Sequence, residues 1–229
     1  RRYSSAASDV YKRQPIFMKC PSFKEFDFSV LEQKDFKESD VREDIISPIL
    51  KALSYKRYGR NKMIREKRVE HSQVKTGSTR KNLINYIDYL MQVDDNYTFV
   101  LEAKGPRENI KTGENVEQAY FYAIHPEIRV NYYALCNGKE FILFHISQQK
   151  AVLYFQVSEI ENYWEEMKAY LSPDAFVQAE ILADKKGIYK NPAKKDYDNI
   201  QLPKPIKPRK QAAKRHFGVH GYFTRQAWN

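Results

Sequence analysis

YIDYLMQVDDNYTFVLEAK, residues 86–104, consists of two apolar runs on either side of Asp94-Asp95-Asn96. Val, Ile, Tyr, Phe and Thr favour a pleated backbone, and a short polar linker between two such runs predicts a β-hairpin. A three-residue loop over Asp94 to Asn96 suits the sequence, with Asn96 taking the left-handed conformation that its third position requires. Val93 then faces Tyr97, and counting outward sets Asp88 directly opposite Glu102. Residues paired across a ladder have Cβ atoms about 4.5 to 5.5 Å apart, and like charges there repel. Lys104 lies two residues beyond Glu102 and so projects from the same face, bringing a cation to the two carboxylates. Two carboxylates completed by waters or phosphate oxygens also form a hard-cation site suited to Mg²⁺. On an exposed face the same three charges would be a salt-bridge cluster worth under about 1 kcal/mol. Two features favour the sheet interior. Glu102 lies among Phe99, Val100, Leu101 and Ala103, and Gly105-Pro106 ends the strand directly after Lys104, a place where loops carry chemistry.

Outward from the hairpin, Val41, Ile45, Ile46, Ile49, Leu50 and Leu53 have helical spacing over Asp40 to Leu53, with Asp40 as N-cap and Pro48 as the expected kink. Met63 to Val74 is charged and loosely alternating, and Leu83 to Val93 and Tyr97 to Lys104 are the hairpin strands. A helix is expected over Glu114 to Ile124. Strands Val130 to Cys136 and Glu140 to His145 follow around Asn137-Gly138, then a strand near Ala151 to Phe155, and helices near Glu159 to Leu171 and Pro173 to Asp184. Helix, three strands, helix, three strands and two helices predict an α/β domain with a mixed sheet, expected over 18–184.

Of the 229 residues, 42% are hydrophobic and 30% charged, with Tyr 17, Phe 13 and Trp 2. That composition is globular and excludes a collagen-like, mucin-like or coiled-coil protein. No apolar run approaches the roughly 18 to 20 residues of a membrane span, so a soluble protein without a membrane partner is expected, and the two unpatterned cysteines fit a reducing, cytoplasmic setting. Cys20 and Cys136 form no disulfide or zinc pattern, and Cys136, in YYALC, reads as a buried thiol. Charge is segregated: residues 1–184 hold 27 basic and 27 acidic side chains, whereas 185–229 hold 12 basic and 2 acidic ones. Within residues 1–184, Lys51 to Lys81 alone carries 11 of the 27 Lys and Arg, against Glu66 and Glu70. Such stretches can neutralise phosphates, which makes nucleic acid a candidate partner, or they can be a solvated basic surface.

Residues 1–17 show no periodicity and are expected to be a non-native leader resembling translated adapter sequence. Residues 185–215 read as an extended basic Pro/Lys linker, and 216–229 as a truncated further domain. His216 and His220 have H-x3-H spacing without the cysteine or acidic partners of a usual zinc site. No Walker A phosphate loop occurs in the sequence.

Taken as an ordered set, VREDIISPILKALSY, Asp88 with Glu102-Ala103-Lys104, QAYFY from Gln118 to Tyr122 and ALCNGKEFILF resemble the PD-(D/E)xK nucleases. They are most similar to the N-terminal nuclease domain of type I restriction enzyme R subunits. The resemblance covers roughly Val41 to Phe144 and implies a restriction-endonuclease-like core, with a mixed central sheet flanked by helices, that hydrolyses double-stranded DNA with Mg²⁺ or Mn²⁺. By the same resemblance Asp88, Glu102 and the Ala103 carbonyl would hold the metal, and Lys104 would orient or deprotonate the attacking water. Glu43 would support the metal site, although Asp40-x-x-Glu43 is also a capping-box-like helix start. Gln118 and Tyr122, four apart on one helix face, would lie near the active site and DNA, or pack as an ordinary amide and aromatic. The family aspartate often follows Pro or a small residue; here Ile87 precedes Asp88. HFGVHGYFTRQAWN resembles the segment before the cofactor motif of amino-group DNA methyltransferases, implying a restriction-modification system with methyltransferase or specificity partners. The alternative expectation is a non-catalytic nuclease-like domain that holds DNA beside a methyltransferase.

Overall fold

The computed structural model describes residues 18–76 and 79–185. The expected leader, the linker beyond Lys185, and the tail with His216 and His220 lie outside the described residues.

Helix α1 combines an α-helical turn at Glu38–Asp40, a π-helical stretch at Val41–Ile46 and an α-helical end at Ser47–Ala52. Its start corrects the sequence expectation. The N-cap position belongs to Lys37, and Asp40 sits in the first turn, where its Oδ2 accepts from the Lys37 N–H at 2.7 Å. A carboxylate there satisfies an amide that the helix cannot. The irregularity expected at Pro48 falls on the π-helical turn before it, since proline offers no N–H to the preceding turn.

Six strands follow: β1 (Asn61–Thr76), β2 (Thr79–Val93), β3 (Asn96–Ala103), β4 (Tyr132–Cys136), β5 (Glu140–His145) and β6 (Leu153–Gln156). They form one sheet in sequence order, antiparallel throughout except for the parallel pair β3 and β4. A parallel pair needs a crossover, and helix α2 (Glu114–Ile124) lies in that connection. Helices α3 (Ile160–Leu171) and α4 (Pro173–Lys185) follow β6. The element order is the one the periodicities predict.

Alternation along the central strands feeds two apolar layers. Phe99, Leu101, Ala103, Ala134, Cys136, Phe141 and Leu143 pack with Val41, Ile45, Ile49 and Leu50 of α1 and with Trp164 and Met167 of α3. Val100, Tyr133, Leu135, Ile142 and Phe144 pack with Ala119, Tyr122 and Ala123 of α2. A sheet covered on both faces explains why β3 is apolar along most of its length rather than alternating. Cys136 is wholly buried, and burial pushes its thiol up to about 12.

The hairpin turn differs from expectation, yet the register beyond it does not. Val93 pairs with Asn96 across a two-residue turn, and Asp94, not Asn96, takes the positive φ of 53°. Between the pairs Gln92–Tyr97 and Met91–Phe99 an extra residue, Thr98, bulges from β3, its hydroxyl donating to the Met91 carbonyl at 3.2 Å. The bulge restores the residue that the shorter turn removed. Tyr89 therefore pairs with Leu101, as the count from the sequence has it, and Asp88, one residue on, meets β3 through its side chain at the Ala103 N–H.

At Asp88 strand β2 turns over. Tyr89 and Met91 face the α1 layer and Leu90 the α2 layer, but Ile87, of the same parity as Tyr89, packs in the α2 layer. Across from Asp88, between the pairs Arg65–Tyr89 and Lys67–Ile87, Glu66 has a φ of 52°. A non-glycine residue in that conformation within a strand is strained, and such strain persists where surrounding contacts over-determine it.

Candidate active site

The end of β3 carries Glu102, Ala103 and Lys104, and the Lys104 N–H donates to the Cys136 carbonyl of β4 at 3.0 Å, fixing the backbone where the strand leaves the sheet. Asp88 reaches the same point from β2: its Oδ2 accepts from the Ala103 N–H at 2.8 Å. Lys104 Nζ donates to Glu102 Oε1 at 3.1 Å and to Gln118 Oε1 at 3.0 Å, while Gln118 Nε2 donates to the Tyr122 hydroxyl at 2.9 Å. Sequence-predicted residues from β2, β3 and α2 thus form one connected cluster. Asp88, Glu102 and Lys104 are 7%, 4% and 7% exposed, which excludes the surface-cluster reading.

Burying two carboxylates side by side is costly, at several kcal/mol per ion even after relaxation. Desolvation, with the Asp88 charge added, pushes the Glu102 carboxyl up to about 7. Desolvation also raises Asp88, against the Ala103 amide, Arg42 and Lys104, which favour its charged form. Glu102 Oε2 is buried with no hydrogen-bond partner among the described residues. An orphaned carboxylate oxygen beside a second buried carboxylate is a donor set of the kind that hard cations take. The donor set therefore fits Mg²⁺ or Mn²⁺, with waters or substrate oxygens completing it. Among the described residues no group of three or more Asp, Glu, His or Cys side chains is arranged to hold a metal, so the two carboxylates stand without a third.

Glu43 does not join them. It is turned outward, pairing with Arg65 of β1 at 2.5 Å and more than half exposed. Arg42, its neighbour on α1, points to the site instead: its Nη2 donates to Asp88 Oδ1 and, at 2.5 Å, to Glu38 Oε1, and its Nη1 lies 3.8 Å from Glu66. The Tyr89 hydroxyl donates to the Arg42 carbonyl at 3.1 Å, tying this turn of α1 to β2. Glu43 lies on the π-helical stretch, which departs from the 3.6-residue period by which helix faces are assigned, and the structure places it on Arg65 rather than beside the carboxylate pair. Arg42 was missing from the sequence reading, although Glu38 four residues before it is a legible i, i+4 pair.

No family model matches the chain, and no curated protein matches it. Among solved structures it is similar to a fragment assigned as an HsdR subunit of a type I restriction enzyme from Vibrio vulnificus YJ016. The likeness has 19% identity and a TM-score of 0.48, over 69% of this chain and 27% of that one. The chain thus spans about a quarter of that structure's length, and a likeness at this level carries no argument about activity.

Proposed function

We propose that this domain is a restriction-endonuclease-like, Mg²⁺-dependent endodeoxyribonuclease of a prokaryotic restriction-modification system, acting on double-stranded DNA beside methyltransferase or specificity partners. The observation that carries the reading is the buried Asp88–Glu102 pair with Lys104 against it and one Glu102 oxygen left without a partner. Asp88, Glu102 and the Ala103 carbonyl would hold the ion, and when bound it supplies Lewis-acid charge and a lower pKa for water. Lys104 brings a positive charge to the same place, where it orients the attacking water and stabilises charge developing on the phosphate. Gln118 holds the Lys104 ammonium from α2, and Tyr122 in turn holds the Gln118 amide, so the cation is positioned by two elements.

The test is conversion of closed circular DNA to nicked or linear forms with Mg²⁺ and with chelator. Metal-dependent conversion that Asp88→Asn abolishes is the expected result. Binding without cleavage in both Mg²⁺ and Mn²⁺ would favour the non-catalytic DNA-holding alternative. Exposed basic residues before and on β1 supply a DNA-facing candidate surface: Lys56, Arg57, Arg65 and Arg68 all lie at the surface. Replacing these four with alanine is expected to flatten the salt dependence of DNA affinity, by a slope of about 0.9 for each phosphate no longer neutralised. An unchanged slope assigns them to plain solvated surface.

A further inference from the structure

Arg42 sits among three carboxylates from three elements: Glu38 of α1, Glu66 of β1 and Asp88 of β2. Asp88 is the buried member, with a side chain 8% exposed, against 37% for Glu38 and 71% for Glu66. The Asp88 oxygens are divided between two donors, Arg42 on Oδ1 and the Ala103 amide on Oδ2. Lys104 is committed to Glu102 and Gln118. Arg42 is therefore the cation that compensates Asp88 directly.

We infer that Arg42 is the internal counter-ion of the carboxylate pair and competes with the divalent cation for Asp88. The inference rests on the metal-site reading proposed above. A cation that takes Asp88 Oδ1 competes with the guanidinium, because two positive charges would then meet on one carboxylate oxygen and each weakens the hold of the other. The displaced group does not become unpaired: Glu38 holds the same Nη2 at 2.5 Å and Glu66 lies 3.8 Å from Nη1. Glu38 thus lowers the cost of the exchange by offering the guanidinium an acceptor outside the site.

Two substitutions should then move metal affinity in opposite directions. Mn²⁺ alone is titrated calorimetrically at pH 8 into the full chain and into Arg42→Met, Glu38→Gln, Arg65→Met and Asp88→Asn. Arg42→Met, which keeps the apolar stem, is expected to bind on the order of tenfold more tightly than the unmodified chain, as removal of a charge-assisted competitor implies. Glu38→Gln, which leaves Arg42 to Asp88, is expected to bind several-fold more weakly. Arg65→Met removes one exposed positive charge near α1 and should change affinity less than about threefold, since solvent screens it. Affinity in Arg42→Met equal to or below that of the unmodified chain, with Asp88→Asn binding lost, overturns the role of Arg42 and leaves the metal site standing. Should Arg42→Met fail to fold, Glu38→Gln decides alone: unchanged or tighter binding overturns the inference. Binding indifferent to Asp88→Asn, or absent from every variant, removes the metal-site reading and the inference together.

Discussion

Lys104→Met is expected to lower Mg²⁺-dependent DNA cleavage by about 10² to 10⁴-fold, the usual worth of a positioned group acting on the reacting water or on developing charge. Methionine keeps most of the aliphatic stem, so the buried volume is nearly conserved. What is lost is the ammonium that donates to Glu102 at 3.1 Å and to Gln118 at 3.0 Å. Removing one member of a buried ion pair normally costs about 3 to 5 kcal/mol, because the other charge is left uncompensated. Glu102 has an escape from that penalty: its carboxyl, pushed up to about 7, takes a proton at mildly acid pH. The variant should therefore unfold cooperatively at pH 6 and retain its near-ultraviolet dichroism there while failing in cleavage at pH 8. Activity within threefold of the unmodified domain would sink the assignment of Lys104 to the chemistry.

The second large effect concerns pH. Glu102 moves from an ordinary 4.5 to about 7 in the folded protein, mainly through desolvation and then through the neighbouring Asp88 charge. Between those values the folded state holds a proton that the unfolded chain releases, so stability contributed by neutral Glu102 is complete below about pH 4.5 and is lost as pH rises through about 7. The metal-free domain is thus expected to lose on the order of 3 kcal/mol between pH 4.5 and 8 from this group. Asp88 shifts in the same direction and adds to the trend. Glu102→Gln cannot ionise and should remove the larger part of the slope. A divalent cation bound to the ionised pair should offset the loss at pH 8 in the unmodified domain but not in Glu102→Gln. Urea midpoints at pH 5 and pH 8, with and without Mg²⁺, read all three effects. Equal pH slopes in the unmodified domain and in Glu102→Gln would show that Glu102 is ordinarily ionised in the fold.

Local pattern made the elements legible, and α2 is the clearest case, since Glu114 to Ile124 is both its sequence-derived span and its observed one. Asp88 and Glu102 were also brought together by counting, but by two compensating errors. The turn holds one residue fewer than expected and the Thr98 bulge adds one back, a cancellation that hydrophobic alternation cannot reveal. Burial of the triad was legible only as a tendency of the surrounding apolar residues, because exposure depends on what α2 and β4 place over the strand. The face of α1 was not legible. Arg42 and Glu43 are adjacent, so a local change in helical winding decides which of them meets Asp88, and no period read from Val41, Ile45 and Ile49 specifies that change. The turnover of β2 at Asp88, opposite the positive φ of Glu66, was likewise hidden. It departs from the period-two rule beside the buried carboxylate pair, where local pattern and tertiary packing disagree.

The central claim is that Asp88 and Glu102 form a divalent-cation site, and calorimetric titration of Mn²⁺ into the metal-free domain at pH 8 tests it most directly. Binding of one ion that both Asp88→Asn and Glu102→Gln abolish, while Glu43→Gln leaves it within about threefold as expected of an exposed, screened carboxylate, is the result predicted here. Binding that persists unchanged in Asp88→Asn and Glu102→Gln, or no binding even with DNA present to supply phosphate oxygens, would contradict it.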